Sequence, residues 1–289
     1  MSDEFIELAA GGARARVARH GAELKSLAFA GTPELLWQAD ATYWDRSAPF
    51  LFPQISRTPD LRLRVGGHEG EMPQHGFARD QLFAVAAREA ARCVLALRDD
   101  AVTRAIYPFP FALTVEYRLA ARALDLVATV ENTGTGPLVF QFGWHPGFVW
   151  PLPPATTREG HSITVSPMPG RPALQAETGQ VTGETIPDAL VDGAVPITDA
   201  RFARGALVFP AIADRHAVYR GPAGAQLTVE FPDCPVLAIW RRPGGGYVCI
   251  EPWQGLPHRI GDPQDLAARA DTVTLAAGNA RRWRFRVAV

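Results

Sequence analysis

The property that most restricts this chain is the frequency with which its apolar runs are cut by glycine and proline, present 26 and 25 times. Long helices need uninterrupted stretches, because proline removes an amide donor and glycine costs about 1 kcal/mol relative to alanine in a helix interior. Between the breaks, apolar residues alternate instead of recurring at helical spacing. Leu113, Val115, Tyr117 and Leu119 make one such run, Leu124, Leu126, Ala128 and Val130 a second, and Trp283, Phe285, Val287 and Val289 a third. Alternation of this kind turns one set of side chains toward a core and the other toward solvent, as in a half-buried strand. "AARA" between the first two runs reads as a hairpin connection, and "ENTGTGPL" turns the chain again. The expected fold class is an all-β sandwich with few short helices. One short helix is expected at "DPQDLAARA", with Asp262 as cap, Pro263 in the first turn and Asp265 three residues after the cap. Residues 170–200 have weak periodicity and read only as a long excursion between strands.

All-β folds often use 289 residues for one domain, and the chain has no fixed-period repeat or low-complexity linker. The Pro-rich stretch at 150–172 is interrupted by apolar residues and reads as a surface loop, so a single domain over 1–289 is expected. A net charge of −1 with 47% hydrophobic residues describes an ordinary globular protein and argues against nucleic acid as a partner. Lys25 is the only lysine, which excludes a Walker-type phosphate loop and leaves little scope for Schiff-base chemistry. Cys93, Cys234 and Cys249 are widely spaced and suggest neither a disulfide framework nor a zinc ribbon. The acidic start "MSDEFIELAA" lacks the basic segment of a signal peptide, and no apolar run is long enough for a membrane span. A cytoplasmic protein without membrane attachment is expected.

Four stretches mix ionisable groups with rigid and aromatic residues: "LFPQISR" ending at Arg57, "PQHGFARD" with His75 and Arg79, "QFGWHPGFVWP" with His145, and "CIEPWQGLPH" with Glu251 and Trp253. Fixed backbone, an apolar wall and a few charges are what a small polar-ligand cleft requires. Each residue also has a plainer reading. His145 can be a satisfied core histidine, Glu251 one half of an ion pair with Arg57 or Arg79, and His75 a turn or surface residue; the arginines can be surface charges. Trp144, Trp150, Trp240 and Trp253 can all be packing, although one beside a cleft would suit the apolar face of a sugar ring. "HEGEMPQH" holds His68, Glu69, Glu71 and His75, but its spacing matches no zinc pattern, so no metal is expected. Neither a dinucleotide G-x-G-x-x-G nor a G-x-S-x-G elbow is present.

Together and in this order, "LFPQISR", "PQHGFARD", "FGWHPGF" and "CIEPWQGLP" resemble the aldose 1-epimerase (galactose mutarotase) superfamily, most closely its LacX-like branch, from about residue 20 to the closing "LAAGNARRWRFRV". The resemblance implies a large antiparallel β-sandwich with a sugar cleft, no cofactor, a small-molecule aldose as partner, and interconversion of its α and β anomers. It leaves a homodimer open. It makes His145 the general acid, Glu251 the general base, and His75 and Arg57 substrate-binding residues, with Arg79 and Trp253 beside them. Acid and base are expected to meet across one monosaccharide. Gly143 and Pro146 would restrain the backbone at His145, Trp144 and Phe148 would limit its water, and a neighbouring carboxylate would increase its protonated fraction.

The chain departs from the family pattern at three places. Gly205 stands where a mid-chain aspartate is usual, "SRTPDLRL" replaces "GRLKDG", and His258 replaces an aspartate after "GLP". Three other readings stay open: a hexose-6-phosphate 1-epimerase, with Arg57, Arg79 and Arg62 clamping phosphate; a non-catalytic carbohydrate-binding sensor; and a hydrolase, which would want two opposed carboxylates.

Overall fold

A computed structural model describes residues 4–289. Two antiparallel sheets dominate it. The first has nine strands, in the order Ala194–Pro196, Ser162–Thr164, His216–Arg220, Gln226–Glu230, Ala280–Ala288, Ala123–Asn132, Phe111–Ala120, Arg92–Arg98 and Ala84–Arg88. The second runs Gln180–Ile186, Ala173–Glu177, Ala206–Phe209, Val236–Trp240, Tyr247–Gln254, Phe142–Trp144 and Phe50–Leu51, with Gly147–Val149 also paired to Tyr247–Gln254. A three-stranded sheet at the N-terminal end joins Phe5–Ala10, Ala13–Ala18 and Leu24–Ala28.

The three alternating runs form neighbouring strands of the nine-stranded sheet, and "AARA" makes the hairpin that pairs Ala120 with Ala123. Their inward side chains meet the second sheet directly: the Phe142 and Trp283 rings stack at 4.6 Å, and Trp144 lies 5.5 Å from Phe285. This interface is the core. The far face of the eight-stranded sheet carries a second, smaller buried cluster that includes Trp253, and a cavity opens beside it.

Several local expectations change. Asp262 does not cap a helix; its carboxylate accepts from Arg259 N at 2.9 Å, closing a turn before Pro263. Asp265 takes the capping role for a short 3₁₀ turn, Leu266–Ala268, accepting from Ala267 N at 2.8 Å. The α-helix is instead Ala101–Ile106, capped reciprocally by Asp100 and Thr103. Within the Pro-rich stretch, Ser162–Thr164 joins the nine-stranded sheet. The 170–200 excursion contains a hairpin, Ala173–Glu177 with Gln180–Ile186, on the edge of the second sheet. No helix among the described residues is long and apolar enough to cross a membrane.

Candidate active site

Glu251 sits in the central strand Tyr247–Gln254, where alternation sends Val248 and Ile250 into the core and Cys249, Glu251 and Trp253 to the opposite face. On the adjacent strands, Gly143 pairs with Trp253 and Gly147 with Cys249. Midway between these pairs, His145 lies directly across from Glu251. The hydrogen-bond ladder is broken there because Pro146 and Pro252 have no amide hydrogen. Motifs 106 residues apart (251 minus 145) thereby form one cross-strand pair, His145 Nε2 to Glu251 Oε2, at 3.0 Å.

The glycines flanking His145 matter for space rather than backbone freedom. A Cβ at Gly143 would lie 2.6 Å from a Trp253 ring carbon, and one at Gly147 would lie 2.8 Å from Trp44. Trp144 and Phe148 do not shield the imidazole; both are buried in the inter-sheet core. Shielding falls to Trp44, which stacks on His145 at 4.8 Å, and to Trp240, edge-on at 5.8 Å. The backbone is held by the 47–49 segment: Pro49 O accepts from His145 N at 3.0 Å, Ser47 O from Gly147 N at 2.8 Å, and Ala48 O from the Trp144 indole at 3.2 Å. Behind that segment lies the buried Glu23 carboxylate, which accepts from Ser47 N at 2.5 Å and Ala48 N at 3.0 Å and pairs with Lys25 at 3.3 Å.

His75 closes a second side, its ring 5.4 Å from that of His145. Its Nδ1 accepts from Ser56 N at 3.0 Å, so the neutral ring carries its proton on Nε2. His75 has a left-handed backbone, φ 67°, and next to it Gly76 packs where any Cβ would strike Phe52 O at 2.1 Å. Arg57 Nε donates to Thr178 O at 2.8 Å. Arg79 is largely buried, yet its Nε has no hydrogen-bond partner and its closest acidic neighbour, Asp80, lies 3.8 Å away. Burial, with the Arg46 charge next, pulls its pKa down.

Arg57, His75, Arg79, His145, Glu251 and Trp253 all line one cavity of about 620 Å³. The structure therefore brings together every site residue expected from the sequence. It adds Trp44, Trp240, Tyr43, Asp45 and Arg242 to the same wall. Trp240 had been noted only as one of four candidate aromatics; "TYWDRSAPF" offers an aromatic pair beside an acid, a weak signal that lies just before "LFP". Gly205, also on the wall, has φ 120° and a Cβ position 2.3 Å from Ala176 O, so no aspartate fits at that point. His258 instead faces a separate small space beside Arg269. Arg62 is engaged with Glu69 in an exposed hairpin.

The protonation expected for His145 is reversed. Burial, reinforced by the Arg79 charge, pushes its imidazole down to about 3, and burial pushes the Glu251 carboxyl well above the usual range. Burial of both side chains disfavours each charged form. The same burial therefore favours the neutral imidazole and the neutral carboxylic acid over the ion pair. Neither arginine pairs with Glu251; its ionic partner is His145.

Structures of the same kind define the class first. The fold superposes on a galactose mutarotase related enzyme from Lactobacillus acidophilus with a TM-score of 0.90 and 27% identity, covering 98% of this chain and 96% of the other. A galactose mutarotase-like protein from Lactobacillus casei gives a TM-score of 0.87 and 28% identity, covering 98% and 99%. The protein is a galactose mutarotase-like antiparallel sandwich. More specifically, the chain belongs to the aldose 1-epimerase family, which matches residues 4–287, and at family level it is an isomerase of the epimerase type. Protein LacX (chromosomal) from Lactococcus lactis subsp. lactis is 27% identical over 251 residues, 82% of this chain and 83% of that protein.

Proposed function

We propose that the protein is an aldose 1-epimerase acting on a free aldose, with Glu251 as general base and His145 as general acid. The observation that carries this reading is their 3.0 Å contact at the floor of the cavity. Anomer exchange moves two protons at two oxygens attached to the same carbon, the C1 hydroxyl and the ring oxygen. Neighbouring donor and acceptor atoms on one strand pair suit that spacing better than groups separated by a whole sugar.

The mechanism needs the pair to share one proton, which has two placements, an imidazolium facing a carboxylate and an imidazole facing a carboxylic acid. The sugar's C1 end enters against the pair in the first placement. Glu251 then takes the C1 hydroxyl proton while His145 Nε2 gives its proton to the ring oxygen. The C1 to ring-oxygen bond breaks, a C1 carbonyl forms, and the pair is left neutral. Burial favours this neutral state, so the same desolvation that shifts both groups stabilises the enzyme in the ring-open stage. After the carbonyl turns over, both protons return and the other anomer closes. Each transfer by a positioned group contributes about 10²–10⁴-fold. His75 and Arg79 on the wall supply polar groups for sugar hydroxyls, and Trp44 and Trp240 supply apolar wall.

Polarimetry on freshly dissolved α-glucose and α-galactose tests this reading. Folded His145→Ala and Glu251→Gln are each expected to lose nearly all acceleration over buffer. Turnover at the wild-type rate by either would overturn the mechanism. Arg57, Arg79 and Arg242 on the wall favour a second reading, a phosphorylated hexose, although Arg62 is not available to it. A higher kcat/KM on glucose 6-phosphate than on glucose would select that reading.

A further inference from the structure

Cys249 has no part in the acid and base steps, yet it lies two residues before Glu251 on the same face of the strand, opposite Gly147. Its Sγ, the Glu251 carboxylate and the His145 ring nitrogen lie within 4.8 Å of one another, and all three residues are buried. Among the described residues this is the only such convergence of three metal-ligating side chains. We propose that these three side chains form an inhibitory site for a thiophilic divalent cation, zinc being the ion whose chemistry fits; that occupancy inhibits rests on the acid and base reading above.

Zinc holds nitrogen and oxygen at about 2.0–2.2 Å and sulfur at about 2.3 Å, so tetrahedral donors stand about 3.3–3.6 Å apart. The imidazole and carboxylate, now 3.0 Å apart, need to separate by only a few tenths of an ångström. The thiol needs to approach by no more than about 1.5 Å. One imidazole, one thiol and one carboxylate suit a borderline-soft ion and suit magnesium or calcium poorly, since those prefer oxygen donors. Three protein donors leave a fourth position, and the cavity of about 620 Å³ is there to supply it with water. A cation bound there occupies the nitrogen and oxygen that must exchange protons with the sugar. Zinc and aldose therefore compete for one place.

The test uses the full chain, with zinc chloride as probe and magnesium chloride as control. Isothermal titration is expected to show one zinc per wild-type chain and no magnesium heat. Cys249→Ala and the bulkier Cys249→Ser are both expected to weaken zinc binding by at least about 100-fold, the upper end of what losing a mere supporting partner costs. In polarimetry, the ratio of rates with and without zinc isolates the effect from any change in basal activity. That ratio is expected to fall reversibly in wild type, recover with EDTA, and stay near one in both variants over the same range. Mutarotation with no zinc binding below about 1 mM, or binding unchanged in both variants, overturns the cation site and leaves the acid and base reading standing. Cys249-dependent binding in a protein inactive on every aldose supports the cation site and overturns the proposed activity.

Discussion

Glu23 does not line the cavity but carries the segment that holds His145. Its carboxylate accepts the Ser47 and Ala48 amides, and the carbonyls of residues 47–49 in turn hold the backbone or indole of Trp144, His145 and Gly147. Glu23→Ala leaves two buried N–H groups without an acceptor, at about 1–3 kcal/mol each, or about 2–6 kcal/mol together. At about 2.1 cal/mol/K of unfolding entropy per residue, 1 kcal/mol moves Tm by about 1.6 °C in a chain of 289 residues, so a fall of at least about 3 °C is expected. Activity should suffer separately, because a misplacement of about 1 Å at a reacting group can cost about 100-fold. The expected result in polarimetry, well below the melting transition, is a kcat about 10–100-fold lower with KM little changed. Glu23→Gln keeps an oxygen where the amides converge and should restore most of both losses, giving up the Lys25 pair for about 1 kcal/mol or less. An alanine variant within about 0.5 kcal/mol of wild type and fully active would refute the reasoning, as would a glutamine variant as damaged as alanine.

Three further outcomes are expected. Since burial pushes the His145 imidazole down to about 3, its ring NMR signals should show no protonation step between about pH 5 and 7.5, and a midpoint of about 6.5 would restore a freely titrating imidazole. Gly147→Ala puts a methyl group 2.8 Å from Trp44 and should cost about 1–3 kcal/mol in denaturant unfolding while lowering kcat; a neutral effect would show that Trp44 need not lie on His145. His75→Ala removes a donor from the cavity wall and should mainly raise KM for the aldose by about 10-fold, and an unchanged KM would take His75 out of sugar binding.

Strand alternation and turn residues made the all-β class legible, since a period of two survives in any window of the chain. The long alternating runs at 113–119, 124–130 and 283–289 were therefore placed correctly, whereas the edge hairpin at 173–186 was not. Its buried residues are Ala173, Gln175, Ala176 and Val181, mostly too small or too polar to mark an apolar stripe. Residues that combine charge with rigid neighbours also stand out, which is why Arg57, His75, Arg79, His145, Glu251 and Trp253, which share one cavity, are legible as candidates in the sequence. Trp44 and Glu23 carry no such mark. An aromatic in an irregular loop and an acid before a strand look like ordinary packing and surface until their partners are known.

The sequence by itself determined what each side chain could donate, accept or exclude, and which segments must be strands. Only the tertiary structure decided that His145 and Glu251 are opposite members of one strand pair. It also decided that burial disfavours the charged form of each, where a carboxylate neighbour alone suggests a charged imidazole. Register and desolvation are properties of the packed sheet: both depend on groups scattered along the chain, and no local window contains them.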